Sequence, residues 1–187
     1  MDNFHLEGIV IKRINIGEAD RLLTLFSKKQ GKIKILGKGI RKIASRRAPH
    51  LEIFSQVNVF LHQGKIYPYV TEAQLIYGFS DLRKNFRKIV ITYHLCEIID
   101  KLLPEKEKNE ELYHSFIDTL LFLEKENSAI RIRQGVRFFV NNLLTKLGYI
   151  THGKDTAYSQ LIYEIENIIE KPLSTLRLLT KISREIE

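Results

Sequence analysis

Residues 21–47, RLLTLFSKKQGKIKILGKGIRKIASRR, decide the fold prediction for the first part of the chain. The stretch contains ten Lys or Arg residues, and no acidic residue occurs between Asp20 and Glu52. In residues 32–35, KIKI, lysine alternates with isoleucine, and successive side chains of a strand point to opposite faces of a sheet. The pattern predicts a strand that buries isoleucine and presents lysine to a phosphate group.

On both sides of this stretch, the alternation of apolar and polar residues predicts five strands. They cover residues 6–14, 19–27, 32–38, 51–62 and 66–76. Glycine-bearing turns separate them, and residues 38–50 are expected to form an exposed, mobile basic loop. Five short strands in so short a segment predict a small closed barrel, most commonly an oligonucleotide-binding (OB) barrel. The period alone leaves an SH3-like barrel open. Pro68, inside the predicted fifth strand, indicates an edge position or a bulge.

After residue 78 the apolar period changes from 2 to about 3.6, which predicts a second, all-helical domain. Helices are predicted near residues 80–103, 110–126, 128–147, 157–170 and 172–186, with Ser80 as the first N-cap and Pro172 in the first turn of the last helix. Residues 105–111, EKEKNEE, are expected to be a solvated loop. The fold class is therefore α+β and multidomain, with a five-stranded OB barrel over residues 1–79 and a helical domain over residues 80–187.

The positive charge is unevenly distributed along the chain. The formal net charge is +8, of which residues 1–80 carry +7 and residues 81–187 carry +1. A localised excess indicates a polyanionic partner. Nucleic acid is favoured over a membrane surface, because the basic residues follow a strand pattern and not an amphipathic helix.

The sequence contains none of the common catalytic or metal-binding motifs. GxGxxG, HExxH, CxxC and GxSxG are all absent, and the six histidines show no metal-ligand spacing. Cys96, the single cysteine, lies in an apolar helical pattern and is expected to be a buried thiol. We therefore expect no enzymatic activity, no catalytic residue, no metal and no cofactor.

The amino terminus has neither a basic segment nor an apolar segment of the kind found in secretory signals. No apolar run approaches the roughly 18 residues that span a bilayer. A cytoplasmic protein without a membrane partner is therefore expected.

Nine basic residues and two tyrosines are the candidate nucleic-acid contacts. They are Arg13, Arg21, Lys32, Lys34, Lys38, Arg41, Lys42, Arg46, Arg47, Tyr67 and Tyr69. The tyrosines lie two apart in the predicted fifth strand and can stack on bases, at about 1–3 kcal/mol each. Covering a barrel end or the domain junction is an equal alternative for them. Cations on strands also serve solubility and edge protection.

A second candidate site lies in the predicted third helix. Arg133 and Arg137 are four residues apart and share a helix face, beside Phe138. Arginines that border an apolar groove suit an acidic, hydrophobic peptide. An ordinary helix surface with extended arginine side chains is the alternative.

Several motifs in these segments resemble one known family. The pieces are GEADR (17–21), GK (31–32), GKGIRK (37–42), SRR (45–47), LEIF (51–54), Tyr67 and TEA (71–73). In this order and spacing they resemble the N-terminal barrel of the RecO family of bacterial recombination mediators. The resemblance extends more loosely through the helical part to LGY (147–149) and covers about 150 residues.

The resemblance implies an OB barrel that binds single- and double-stranded DNA and anneals complementary strands without nucleotide hydrolysis. It also implies help in loading RecA onto DNA coated by single-strand-binding protein, and a nucleoid-associated location. RecR and the acidic C-terminal tail of single-strand-binding protein are the implied partners, with RecA indirectly.

Many RecO relatives carry a four-cysteine zinc module after the position of residues 147–148. This chain has THGKDTAYSQLIYEIENIIEK (151–171) there, without cysteine. We therefore expect the zinc module to be absent and the helical domain to be shortened.

Two other functions fit the same charge pattern. One is an RNA-binding or ribosome-associated OB protein, and the other is an adaptor whose basic face binds acidic peptides.

Overall fold

The computed structural model describes residues 3–151 and 156–184, with side chains up to residue 181. The chain divides into two compact units. The barrel unit contains the residues up to Phe79 together with Leu103–Tyr113. The helical unit contains Ser80–Leu102 and the residues from His114 onward.

Five strands close into a barrel in the order β1-β2-β3-β5-β4. They are β1 (Asn3–Ile16), β2 (Asp20–Ser27), β3 (Gly31–Gly37), β4 (Gln56–His62) and β5 (Tyr69–Tyr77). The long β1 pairs with β4 through its first half and with β2 through its second half, and the β3–β5 contact is parallel. This connectivity is that of an OB barrel, and the predicted fold class is confirmed.

The barrel core consists of the inward-facing aliphatic side chains. In β4, Val57, Val59 and Leu61 are buried, and in β3 so are Ile33 and Ile35. Each such side chain contributes about 1.5–3 kcal/mol when fully buried. Because burial alternates along β4, its residues Phe60 and His62 lie on the outer face.

The fourth and fifth strands begin later than predicted. Residues Ala48–Leu51 form a short 3₁₀ helix, and Phe54 adopts a positive φ of 69°, so regular pairing starts only at Gln56. Pro68 precedes β5 and does not lie inside it, since β5 begins at Tyr69. The carbonyl oxygen of Pro68 nevertheless accepts a hydrogen bond from Leu36 N–H at 2.8 Å.

Residues 105–108 are exposed, as expected for a solvated loop, and the next helix begins at Glu110, but the backbone of this loop also packs on the barrel. Lys106 N–H donates to the carbonyl oxygen of Lys32 at 2.8 Å. Gly31, with φ of 62°, leaves no room for a side chain, because a Cβ there would lie 1.9 Å from the carbonyl oxygen of Glu107. The segment therefore packs closely on the barrel.

Tyr113 ends this packed segment. Its ring is buried, and its hydroxyl lies 3.2 Å from Glu7 Oε1 and 3.3 Å from Gln56 Nε2. Burial raises the pKa of Tyr113 above its ordinary value, with the Glu7 carboxylate adding to the effect. The tyrosine therefore remains a neutral hydrogen-bonding group within the barrel unit.

The helical unit contains five α-helices in the part of the chain that the structure describes. They are α1 (Phe86–Leu102), α2 (Glu110–Lys125), α3 (Ala129–Lys146), α4 (Tyr158–Ile169) and α5 (Leu176–Arg184), of which the first residues of α2 belong to the barrel unit. The predicted Ser80 N-cap is wrong, because α1 begins at Phe86. Asn85 Oδ1 accepts Lys88 N–H there at 3.2 Å.

The last helix begins at Leu176 and not near Pro172. The carboxylate of Glu97, on α1, accepts the N–H groups of Ser174 and Thr175, each at 2.9 Å, and so fixes the chain just before α5. The predicted end of that helix, at residue 186, lies outside the described residues.

Residues 151–171 stand where many RecO relatives carry the zinc module. In this chain the segment contains α4, and its residues 152–155 lie outside the described part. Within residues 3–151 and 156–181, no group of three or more His, Cys, Asp or Glu side chains could hold a metal ion. Cys96 is buried, as predicted. None of the described helices is long and apolar enough to cross a membrane.

Candidate nucleic-acid interface

The loop after β3 and the beginning of β5 enclose an open concavity of about 970 Å³. We call it the basic concavity and define it by its cationic side chains and one histidine: Lys38, Lys42, Arg46, Arg47 and His50. Asp20, Glu72 and Thr71 also line it. Four of the predicted nucleic-acid contacts therefore meet at one place, together with His50, which the sequence did not indicate.

Two polar residues hold the loop in place. Asp20 Oδ1 accepts Gly39 N–H at 2.7 Å, and Gly39 has a φ of 66°. The Arg47 guanidinium donates to the carbonyl oxygen of Lys38 at 2.9 Å and to that of Val70 in β5. Asp20 and Arg47 thus join the loop to β2 and β5, and Arg47 uses two donors in doing so.

The remaining cations of the basic concavity are exposed. Lys38, Lys42 and Arg46 are exposed, and Lys42 and Arg46 form no ion pair with any residue that the structure describes, whereas the Lys38 ammonium contacts the Tyr69 ring. Flexible ammonium and guanidinium groups in such a position can bind phosphate oxygens without first breaking an internal contact. The exposed Glu72 carboxylate opposes them, because it adds negative charge to the same surface.

Three predicted arginines bind other parts of the barrel. The guanidinium groups of Arg13 and Arg21 both bind the carboxylate of Glu52, and the Arg21 contact is 3.3 Å long. Arg41 donates from Nη1 to the carbonyl oxygen of Gly17 at 2.7 Å. None of these three lines the basic concavity.

The expectation that β3 presents an exposed row of lysines is wrong. Lys32 is only 7% exposed. Lys34 Nζ lies 2.5 Å from Glu105 Oε1, so its charge is balanced within the barrel unit. The physical reason is that the acidic segment after α1 packs against this side of β3.

The two predicted tyrosines are in different surroundings. Tyr69 is the first residue of β5, and Lys38 Nζ lies 4.1 Å from the centroid of its ring. Such a cation–π contact contributes about 0.5–1 kcal/mol at an exposed site. Tyr67 precedes β5, so the expectation that both tyrosines lie on one strand face is wrong.

The helical unit has a separate cavity of about 310 Å³, which we call the helical-unit cavity. Three arginines line it, Arg87 from α1 with Arg133 and Arg137 from α3. Its apolar lining is Ile91, Ile132, Val136 and Leu179. Phe138 is 75% exposed and does not line the cavity, so the prediction that it borders the same groove is wrong.

A chain of hydrogen bonds forms part of the wall of this cavity. Thr175 Oγ1 donates to Glu97 Oε2 at 2.6 Å, so its hydroxyl can only accept from His94 Nδ1, at 2.7 Å. In a neutral imidazole Nε2 then accepts from the Tyr158 hydroxyl, also at 2.7 Å. These contacts fix one tautomer of a neutral imidazole.

The ionisation of these groups agrees with that hydrogen-bond pattern. Burial lowers the pKa of His94 to about 4, although the nearby Glu97 carboxylate acts in the opposite direction. Burial also raises the pKa of Tyr158. Burial alone would raise the pKa of Glu97, but hydrogen bonds from Thr175 and Ser174 outweigh it and leave the pKa below its ordinary value. His94 is therefore neutral and Glu97 ionised near pH 7.

Comparison with known families gives matches over both units. Residues 1–79 match the family model described as "Recombination protein O N terminal", and residues 83–159 match "Recombination protein O C terminal".

Individual relatives agree with the family models. The chain is 33% identical to the DNA repair protein RecO of Acetivibrio thermocellus over 150 residues, which is 80% of this chain and 59% of the relative. It is 32% identical to that of a Roseiflexus species over 146 residues, 78% of this chain and 50% of the relative. The chain thus spans between half and three fifths of the length of these two curated relatives.

Proposed function

Since the chain belongs to the RecO family of DNA repair and recombination proteins, we propose that its barrel binds single- and double-stranded DNA at the basic concavity. The observation that carries the proposal is the convergence of three exposed cationic residues, Lys38, Lys42 and Arg46, on one open surface. Contacts of this kind read the phosphate backbone and not the base sequence. A protein that binds in this way is expected to bind DNA strands of any base sequence.

The proposed activity is annealing of complementary strands, without nucleotide hydrolysis. Two DNA strands repel one another, and a surface that neutralises phosphates reduces this repulsion while leaving the base edges able to pair. On the same reasoning the protein assists the loading of RecA onto DNA coated by single-strand-binding protein. RecR is the proposed partner in this step, and family membership alone supports that part of the proposal.

The proposed binding site for the tail of single-strand-binding protein is the helical-unit cavity. Arg87, Arg133 and Arg137 offer guanidinium groups to the carboxylates of an acidic peptide, and the aliphatic lining accepts an apolar side chain. Arg133→Ala is expected to weaken binding of the tail peptide at least tenfold, measured by fluorescence anisotropy. Phe138→Ala is the control and should leave binding unchanged, because Phe138 lies outside the cavity.

Strand annealing by the purified protein tests the proposed activity. Two complementary oligonucleotides are mixed with the wild type, with Lys42→Ala/Arg46→Ala, and with a charge-matched control, Lys29→Ala/Lys125→Ala. Lys29 and Lys125 are exposed and lie outside the basic concavity. We expect the control to anneal like the wild type and the concavity variant to anneal several-fold more slowly.

Two results would favour the other functions. A marked preference for structured RNA over single-stranded DNA in competition would support an RNA-binding protein. Failure to retard any oligonucleotide at low salt, with binding of the acidic tail peptide retained, would support a peptide-binding adaptor.

A further inference from the structure

Four aromatic rings lie next to one another on the outer face of β1, β4 and β5. His5 is paired with Phe60 across β1 and β4, and their ring centroids are 5.5 Å apart. His62 is paired with Tyr69 across β4 and β5, with a centroid separation of 4.9 Å. Phe60 and His62 are two residues apart on β4, about 7 Å along the strand. We call these four residues the aromatic row.

The strand register explains why the row faces outward. Val59 and Leu61 of β4 are buried in the barrel, so the alternate positions 60 and 62 must lie on the outside. Phe60 remains 46% exposed and His5 is exposed as well, while His62 and Tyr69 are half-buried. A single exposed aromatic residue is ordinary, but a contiguous set across three strands is typical of a binding surface.

The aromatic row is continuous with the basic concavity. Lys38 belongs to the concavity, and its ammonium group lies 4.1 Å from the ring centroid of Tyr69, at one end of the row. Thr71 also lines the concavity, and its hydroxyl donates to the carbonyl oxygen of Phe60 at 3.2 Å. The β4–β5 register shifts between Phe60 and Leu61, so a bulge lies where the two surfaces meet.

This juxtaposition identifies the class of ligand. A cationic surface beside a row of exposed and half-buried rings matches a polymer that carries phosphates along one side and flat bases along the other. In a duplex the bases are already stacked and paired, and their faces are not accessible. Single-stranded DNA offers both groups at once.

We propose that the aromatic row is a stacking surface for the bases of single-stranded DNA, whose phosphates lie against Lys38 and the rest of the basic concavity. Tyr69, His62 and Phe60 follow one another away from Lys38, and His5 extends the surface onto β1. This inference rests on the proposed function, because the concavity supplies the phosphate contacts. It adds a preference for single strands, which phosphate contacts alone do not give.

The first test compares ligands on the wild-type protein. An oligothymidylate, an abasic strand of the same length and a duplex of the same length are titrated at one salt concentration. We expect the oligothymidylate to bind at least about fivefold more tightly than the abasic strand, since each stacked base contributes 1 kcal/mol or more. Equal binding of the two strands would overturn the stacking proposal and leave phosphate binding at the concavity intact. Failure of all three ligands to bind would overturn both proposals.

The second test removes the rings. Phe60→Ala/His62→Ala is expected to lose at least about fivefold in affinity for oligothymidylate, with little change for the duplex or the abasic strand. The salt dependence should stay as in the wild type, because no phosphate contact is removed. Tyr163→Ala, which removes a 63% exposed ring in the helical unit, is the matched control and should change nothing.

Two outcomes of the second test contradict the proposal. One is an equal loss for single strands and duplex. The other is unchanged affinity for every ligand, which would be the behaviour of an aromatic face that contacts another protein.

Discussion

The ammonium group of Lys34 lies 2.5 Å from the carboxylate of Glu105. The contact joins β3 to the acidic segment that follows α1, and it balances a charge on the outer face of the barrel. An ion pair at a partly exposed site contributes little to stability, about 0–1 kcal/mol. Its larger effect is electrostatic, because a cation already beside a carboxylate attracts a phosphate weakly.

Lys34→Ala is therefore expected to leave affinity for single-stranded DNA nearly unchanged. Lys42→Ala, at an exposed position of the basic concavity, should weaken binding clearly and serves as the comparison. Both variants lose one positive charge, so net charge cannot explain a difference. Anisotropy titrations at low salt measure it, and an equal loss in the two variants would show that Lys34 also contacts DNA.

Gly31→Ala is expected to lower the free energy of unfolding of the barrel unit by more than the backbone strain of a positive φ alone would. A Cβ at this position would lie 1.9 Å from the carbonyl oxygen of Glu107, so the packed segment must shift. Backbone strain of this kind costs about 1–3 kcal/mol, and the clash with Glu107 should add to that loss of stability. The control is Gly17→Ala, whose φ is 54° but whose added Cβ meets nothing within 4 Å. Urea unfolding compares the two, and similar losses would argue against close packing at Gly31.

Glu72→Gln is expected to increase affinity for DNA. The substitution removes an exposed negative charge from the basic concavity and keeps the size of the side chain. An effect of up to about fivefold is reasonable for an exposed charge at low salt, and it should decrease as salt is added. Glu170→Gln, an exposed change in the helical unit, serves as the control. Weaker binding by Glu72→Gln would mean that this carboxylate supports the site.

The stability of the helical unit should depend on pH through His94. Its pKa is about 4 in the folded protein and 6.5 ordinarily. The unfolded chain therefore binds the proton first as pH falls, and the free energy of unfolding decreases between pH 6.5 and 4, by about 3 kcal/mol in total. Above pH 6.5 this contribution is constant.

Comparison of the wild type with His94→Gln isolates that contribution. Urea unfolding at several pH values should show a smaller decrease between pH 6.5 and 4 in the variant. The groups other than His94 titrate in both proteins and cancel in the difference. Parallel curves for the two proteins would contradict the assignment of a neutral, buried imidazole.

The barrel and the helices were predictable because their signals are local. Alternation in β3 and β4 and the change of period after residue 78 depend on neighbours within a few residues. The strand boundaries were less accurate where one residue broke the pattern. Phe54, with its positive φ, is such a case, and nothing in its side chain indicates that conformation.

The site was only partly predictable, because its contacts join distant segments. Periodicity placed Lys34 correctly on the outer face of β3. It could not show that Glu105, 71 positions further along the chain, forms an ion pair with Lys34 there. In the same way Arg87 joins Arg133 and Arg137 from another helix, and His5 joins Phe60 from another strand. The basic loop was an exception, since residues 38–47 are close in sequence and meet at one surface.

Exposed cations of the basic concavity that bind DNA phosphates must contribute to the salt dependence of DNA binding. Arg41 and Arg47 already donate hydrogen bonds to backbone carbonyl groups, so the informative variant is Lys42→Ala/Arg46→Ala, with Lys29→Ala/Lys125→Ala as control. The slope of log K against log salt for single-stranded DNA should become less steep by about 1.4 in the first variant, for two lost contacts, and stay at the wild-type value in the control. An unchanged slope in Lys42→Ala/Arg46→Ala, or the same change in both variants, would show that these two cations do not bind DNA phosphates.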